Sequence, residues 1–157
     1  MEKVKGRPYL PAKPSKDTWQ TPSWLFEVLN YEFNFTVDGA ADASNTLLSR
    51  YWTEDSKVFD ISWQGESVYI NPPFDQPTLA AFAKKAWRET RSPNTLAVML
   101  VPVKADQQWW HDYAIRTEVR FIRGRISFSG AKATLPQPVA LLVFGLNYGS
   151  RMVGMER

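Results

Sequence analysis

The sequence has no cysteine and one histidine, His111. The first absence removes disulfides, thiolate metal centres and every mechanism with a cysteine nucleophile, including the attack that carries C5-methylation of cytosine. The second removes a multi-histidine metal centre, so no metal is expected. No apolar run approaches the ~20 residues of a membrane span, and the opening MEKVKGRPYL lacks a signal-peptide core. A cytosolic protein away from membranes is the expectation. The eight glycines nowhere form a G-x-G loop. Any chemistry must therefore rest on carboxylates, amides, aromatic rings and the backbone.

The chain is 157 residues long, with 44% hydrophobic and 22% charged residues, which suits one compact domain with a real core. Its net charge of +3 is unevenly spread. Residues 1–16 carry Lys3, Lys5, Arg7, Lys13 and Lys16 against Glu2, together with Pro8, Pro11 and Pro14. They read as a basic flexible arm, leaving 17–157 as the folded domain. Residues 17–66 hold nine acidic groups against Arg50 and Lys57, and residues 67–157 hold twelve basic groups against six acidic. A polyanion such as nucleic acid suits the basic surfaces, although solvated lysines and arginines would give the same count. Seven Trp, six Tyr and nine Phe supply core, with some left as stacking platforms for bases.

Thr21-Pro22 marks a helix start, with Thr21 as N-cap and Pro22 at the first helical position. Leu25, Phe26 and Leu29 form its apolar stripe. Asn34–Asp38 reads as a short strand running into Gly39-Ala40-Ala41, then a helix from Asp42 through Leu48. Strand, small-residue turn and helix open an α/β nucleotide-type fold. Ser67–Ile70 is a second strand, stopped by Asn71-Pro72-Pro73-Phe74. A helix follows through Leu79, Phe82, Ala83, Ala86 and Trp87, with Lys84, Lys85, Arg88 and Arg91 outward. Leu96–Val101 is a strand buried on both faces. Asp106 is placed to cap a short helix bearing Trp109, Trp110, His111 and Tyr113. Three strands then follow at Glu118–Ile122, Arg125–Phe128 and Val139–Phe144. This order predicts a mainly parallel sheet with an antiparallel edge.

Asn71-Pro72-Pro73-Phe74 is the most informative segment. Ligands of an open α/β sheet bind beyond the carboxyl ends of its strands, where this turn lies. The prolines fix the backbone and remove two N–H donors, leaving carbonyl oxygens to accept. Asn71 adds an amide oxygen and Phe74 an aromatic face. Together they suit an exocyclic amine on a stacked base. Accepting the amine hydrogens at Asn71 and the Pro72 carbonyl localises a lone pair otherwise delocalised into the ring, and orientation supplies much of the rest. The pattern [Asn/Asp/Ser]-Pro-Pro-[Tyr/Phe/Trp] arises by chance in about one chain in a hundred of this length. A simple strand terminator with a packed Phe would also use it.

Order and spacing carry a resemblance beyond that tetrapeptide. The residues are Asp17-Thr18-Trp19-Gln20-Thr21-Pro22, Asp38-Gly39-Ala40-Ala41, Asn45, Trp63, Asn71-Pro72-Pro73-Phe74, Leu100-Val101-Pro102, Trp109-Trp110-His111, Arg123–Phe128 and the Ala140–Phe144 strand. Over residues 17–145 the chain resembles the phage-type DNA N6-adenine methyltransferase (Dam-like) family. The resemblance implies a class I, Rossmann-like sheet, S-adenosylmethionine as methyl donor, and double-stranded DNA as partner, in the host cytoplasm if the chain is phage-encoded. It assigns Asn71, Pro72, Pro73 and Phe74 to the target adenine. Trp19, Thr21, Pro22, Asp38, Gly39, Ala40 and Asn45 would border the cofactor, with Asp60 as a further acceptor. Gly39-Ala40-Ala41 would stand in for the absent glycine-rich loop by letting a ligand approach the backbone.

Lys13, Lys16, Lys104, His111, Arg123 and Arg125 are candidate DNA contacts, with Arg116 and Arg120 in the same arginine cluster. His111 suits packing as well as it suits a ligand, and Asp38 suits an N-cap as well as a ligand contact. Rival readings are cytosine N4 methylation, methylation of a protein glutamine, and an inactive DNA-binding relative. A chain of this size leaves no room for a separate target-recognition domain, and a flipped base must reach Asn71.

Overall fold

The apolar run after Asn94 becomes the central strand of a six-stranded mixed sheet. The computed structural model describes residues 20–128 and 136–157. The basic arm (1–16, with Lys13 and Lys16) and Trp19 lie outside the described residues. Along the chain the elements are α1 (Ser23–Phe33), β1 (Val37–Asp38), β2 (Ser67–Ile70), α2 (Gln76–Glu89), β3 (Leu96–Pro102), α3 (Gln108–Asp112), β4 (Glu118–Ile122), β5 (Val139–Phe144) and β6 (Arg151–Met155). Single 3₁₀ turns occur at Glu54–Ser56 and Ala114–Arg116.

The strand order is β1-β2-β3-β5-β4-β6. β1, β2 and β3 are mutually parallel, β5 is antiparallel to both β3 and β4, and β6 is parallel to β4. Five strands therefore share one direction, and their carboxyl ends (Asp38, Ile70, Pro102, Ile122 and Met155) share one rim.

Side-chain alternation divides the core into two layers. Val68, Ile70, Ala97, Met99, Val101 and Leu142 meet Phe82 of α2 and Trp109 and Trp110 of α3 on one face. Tyr69, Val98, Leu100 and Leu141 meet Leu25, Phe26 and Leu29 of α1 on the other. Asp75 caps α2, its Oδ1 accepting from the Thr78 N–H at 3.0 Å. α1 ends at Asn34, whose left-handed φ of 48° closes the helix.

Several expectations need correction. The reversed strand is not at an edge: β5 lies inside the sheet, and the edge beyond β4 is the parallel β6. All six residues of β5 are buried, so it needs neighbours on both sides, while exposed β6 tolerates the rim. No helix follows Asp42. Its Oδ1 accepts from the N–H groups of Ser44 (2.7 Å) and Asn45 (3.2 Å), and Asn45 Oδ1 accepts from the Asp42 N–H (2.8 Å). Those local bonds take the donors a helix start would use.

Thr21 does not cap α1: Pro22 is the N-cap residue, and no side chain caps that end. Gln107 rather than Asp106 precedes α3 as its cap residue. Residues 125–128 alternate between exposed and buried as a strand would, but among the described residues no strand pairs with them. Among the described residues, no helix is long and apolar enough to cross a membrane.

Candidate active site

Two turns leave the rim side by side. After β1 the chain passes through Gly39, whose N–H donates to the Tyr69 carbonyl at 2.7 Å, locking the turn onto β2. On its other side the turn is held by the 50–52 segment: Asp38 N–H donates to Arg50 O (3.0 Å), Trp52 N–H to Asp38 O (2.8 Å), and Ala41 N–H to Trp52 O (3.1 Å). Tyr51 thereby forms a parallel bridge with Asp38. After β2 the chain enters Asn71-Pro72-Pro73-Phe74.

Between these turns and the entry to α1 lies a small open depression lined by Gln20, Thr21, Asp38, Ala40, Ala41, Asn45, Leu47, Tyr69 and Asn71. The structure thus gathers Thr21, Asp38, Ala40 and Asn45 beside Asn71. Asp38 is 3% exposed, and its carboxylate accepts from the N–H groups of Leu47 (3.2 Å) and Ala40 (3.4 Å). Burial pushes its carboxyl above the ordinary aspartate range, and the two N–H groups only partly oppose this. A buried, hydrogen-bonded carboxylate at a strand's carboxyl end has the chemistry to anchor a ligand amine or hydroxyl.

Gly39 is pressed closely from the β2 side. A Cβ there would lie 2.6 Å from Val68 Cγ1 and 3.3 Å from the Tyr69 carbonyl oxygen. The missing side chain lets β1 close onto β2; the crowding comes from the protein itself.

Asn71 and Phe74 are half-buried and Pro72 is buried. Phe74 packs against both core layers, and its ring meets Phe128 edge-on with centroids 6.1 Å apart. Phe128 and Ile126 are 3% and 1% exposed, so the segment after β4 is sunk into the core beside Phe74 while Arg123 and Arg125 stay outside. Lys104 and Arg123 follow β3 and β4 on the same rim as Asn71. His111 is exposed, and its Nε2 donates to the Ala105 carbonyl at 2.6 Å, bracing the Lys104 loop. Arg123 faces Glu156 at 3.4 Å, both side chains well exposed, a pairing worth little in water.

Arg120 leaves the candidate phosphate cluster. It pairs bidentately with Glu32 (2.6 and 2.7 Å) and with Glu118 at 2.7 Å, beside the Phe33 ring. Hydrogen bonding to Glu32 and then Glu118 holds its guanidinium firmly charged against burial. Lys85, expected outward, is also committed: it donates to Ile61 O and pairs with Glu89, both at 2.6 Å.

Pro22, Gly39, Pro72, Pro73, Phe74 and exposed Asp60 do not line the depression; Asp60 sits beyond the first 3₁₀ turn, with its N–H on Lys57 O. Sequence reasoning gave no role to Gln20, Leu47 and Tyr69, whereas Ala41, expected in the turn that a ligand approaches, does line the depression. Tyr69 had a signal: a phenol in a buried strand must find a polar partner, and its hydroxyl meets that of Thr21.

Most of the chain has a counterpart in a known family. The model of DNA N-6-adenine-methyltransferase (Dam) matches residues 10–140, a span that includes both turns and every residue lining the depression. No curated protein matches the chain.

Proposed function

Because the chain belongs to the DNA N-6-adenine-methyltransferase (Dam) family, we propose that it transfers a methyl group from S-adenosylmethionine to N6 of an adenine flipped out of duplex DNA. The observation that carries this reading is the sharing of one depression by the Asp38 and Asn71 turns. The sheet is read as a class I methyltransferase sheet. Its parallel β1-β2-β3 half and the strand-like Tyr51 bridge outside β1 support that reading.

The residues present fit the cofactor's chemistry. Asp38, Asn45 and Gln20 offer acceptors and donors for an amino acid and a ribose, while Thr21, Ala40, Ala41 and Leu47 offer contact along the wall. When bound, S-adenosylmethionine supplies an electrophilic methyl group. The protein's task is to orient and activate the accepting amine. Asn71 Oδ1 and the Pro72 carbonyl accept the two N6 hydrogens, which draws the nitrogen lone pair out of conjugation. Phe74 provides the face on which the flipped base stacks. Fixed acceptors act here without reorganising during the reaction. As the nitrogen–carbon bond forms, the carbon–sulfur bond breaks to leave a neutral thioether, and the methylated amine then sheds one of its two hydrogens as a proton to solvent, so no general base is needed before the methyl group transfers. Lys104, Arg123 and Arg125, with the arm residues Lys13 and Lys16, hold the phosphates around that base; His111 braces the loop between them.

The test is incubation of the protein with labelled S-adenosylmethionine and duplex DNA, followed by nucleoside mass spectrometry. Label in N6-methyladenine is expected. Label in N4-methylcytosine would reassign the base, and cofactor binding without any labelled nucleoside would leave an inactive relative.

A further inference from the structure

Among the described residues, β6 pairs only with β4, and its outer side meets no other strand. Its five residues, Arg151-Met152-Val153-Gly154-Met155, are exposed or half-buried, and Met152 is 79% exposed. The strand carries no proline and no lysine, the residues that most often blunt such an edge. Arg151 N–H donates to Thr117 O and Met155 O accepts from Arg123 N–H, so residues 151 and 155 direct their backbone groups at the β4 side. Alternation along a parallel ladder then turns the N–H and C=O of Met152 and Gly154 outward.

The side chains around those outward groups are complementary to themselves. Gly154 lies opposite Phe121, and a Cβ built on Gly154 meets nothing within 4 Å. Phe121 is left 37% exposed beside that gap. Met152 projects from the same face, two residues away. A second copy running antiparallel about a two-fold axis at Val153 places each Met152 opposite the partner's gap and against its Phe121. The same register brings outward-facing 152 opposite outward-facing 154, giving four ladder hydrogen bonds. Val153 then meets its own counterpart as the close, non-hydrogen-bonded pair. On that second face the methylene stem of each Arg151 lies over the other copy's Met155. A glycine within an edge strand marks a place where another backbone or side chain comes close.

We propose that β6 is a self-association edge, through which two copies form one continuous twelve-stranded sheet by antiparallel β6–β6 pairing centred on Val153. Because the two-fold axis is normal to the sheet, the two Asn71 rims point in opposite directions. Each then works on its own ligand.

The absence of cysteine gives a clean test on the full chain. Light scattering across a concentration series should show the mass doubling as concentration rises. Val153→Cys should form an intermolecular disulfide under mild oxidation, since directly opposed residues of a non-hydrogen-bonded pair meet the geometric requirement. Met155→Cys should not, because its two copies would stand about 13 Å apart along the strands. Met152→Lys alters an exposed side chain; it should keep the parent's circular dichroism and remain monomeric. A single-chain mass at every concentration, equal crosslinking by Met155→Cys, or a dimer that survives Met152→Lys would overturn the proposal.

Discussion

The hydroxyls of Thr21 and Tyr69 meet in a buried hydrogen bond that ties the entry of α1 to β2, two residues before Asn71. Tyr69 is fully buried and Thr21 is 2% exposed. Burial pushes the Tyr69 phenol far above its ordinary value, so it stays protonated and the bond does not titrate near neutrality. The bond closes one wall of the depression, and the Phe26 and Phe35 rings, each 5.2 Å from the Tyr69 ring, hold that wall from behind.

Tyr69→Phe should therefore cost about 1–3 kcal/mol of stability, because it strands the buried Thr21 hydroxyl. Thr21→Val should cost a similar amount, and the double variant less than the sum. Urea unfolding measures all three. A loosened wall should also weaken S-adenosylmethionine binding in calorimetry. Strictly additive costs would show that the two hydroxyls are not coupled.

Gly39→Ala separates two uses of a small residue. The new methyl group would fall 2.6 Å from Val68 Cγ1, on the strand side of the turn. Overpacking of this kind costs about 1–3 kcal/mol, and Val68→Ala in the same chain should recover part of it. If Gly39→Ala instead unfolds at the parent midpoint and loses only cofactor affinity, the close approach at Gly39 belongs to the ligand.

Asp38 should leave a mark on the pH dependence of stability. Its raised pKa means the native state holds that proton more tightly than the unfolded chain. Its contribution is complete below the unfolded aspartate pKa and is lost as pH rises through the native one. Relative to the parent, Asp38→Asn should flatten the fall in stability across the window between those two pKa values. Denaturation series at several pH values give the slope, and an unchanged slope would assign the proton elsewhere.

What could be read from the sequence is what local pattern controls. The unbroken apolar run of β3 and the helical spacing of α2 lie where their residues predict. The Asn71 turn follows its strand as expected, and Asp38 does end the preceding one. The misses come from competition and from distance along the chain. Asp42 has the look of a helix start, but its carboxylate bonds the next turn's N–H groups first. Tyr69 reads as core by alternation, and its hydroxyl partner is 48 residues away. The inward place of β5 depends on β4 and β6 flanking it, and β6 itself is too exposed and too short of apolar periodicity to announce a strand. Arg120 reads as one basic residue among several until α1 brings Glu32 against it.

The sharpest separation of chemistry from packing lies at Asn71 and Phe74. Asn71→Asp keeps an acceptor of the same shape and should retain measurable methylation of DNA. Asn71→Leu keeps the bulk without the acceptor and should lose about 2–4 kcal/mol of transition-state stabilisation, read as kcat/KM. Both should bind S-adenosylmethionine, since Asp38 and its backbone donors are untouched. Phe74 carries a second duty through its edge-on contact with Phe128. Phe74→Ala should therefore lower the unfolding midpoint as well as weaken capture of the flipped base by about 1–3 kcal/mol, while Phe74→Tyr keeps both the ring and its face. Phe128→Leu controls for the packing part, as it should lower stability with a smaller effect on KM for DNA. Methylation by Asn71→Leu at the parent rate would reduce the turn to a strand terminator and remove Asn71 from the chemistry.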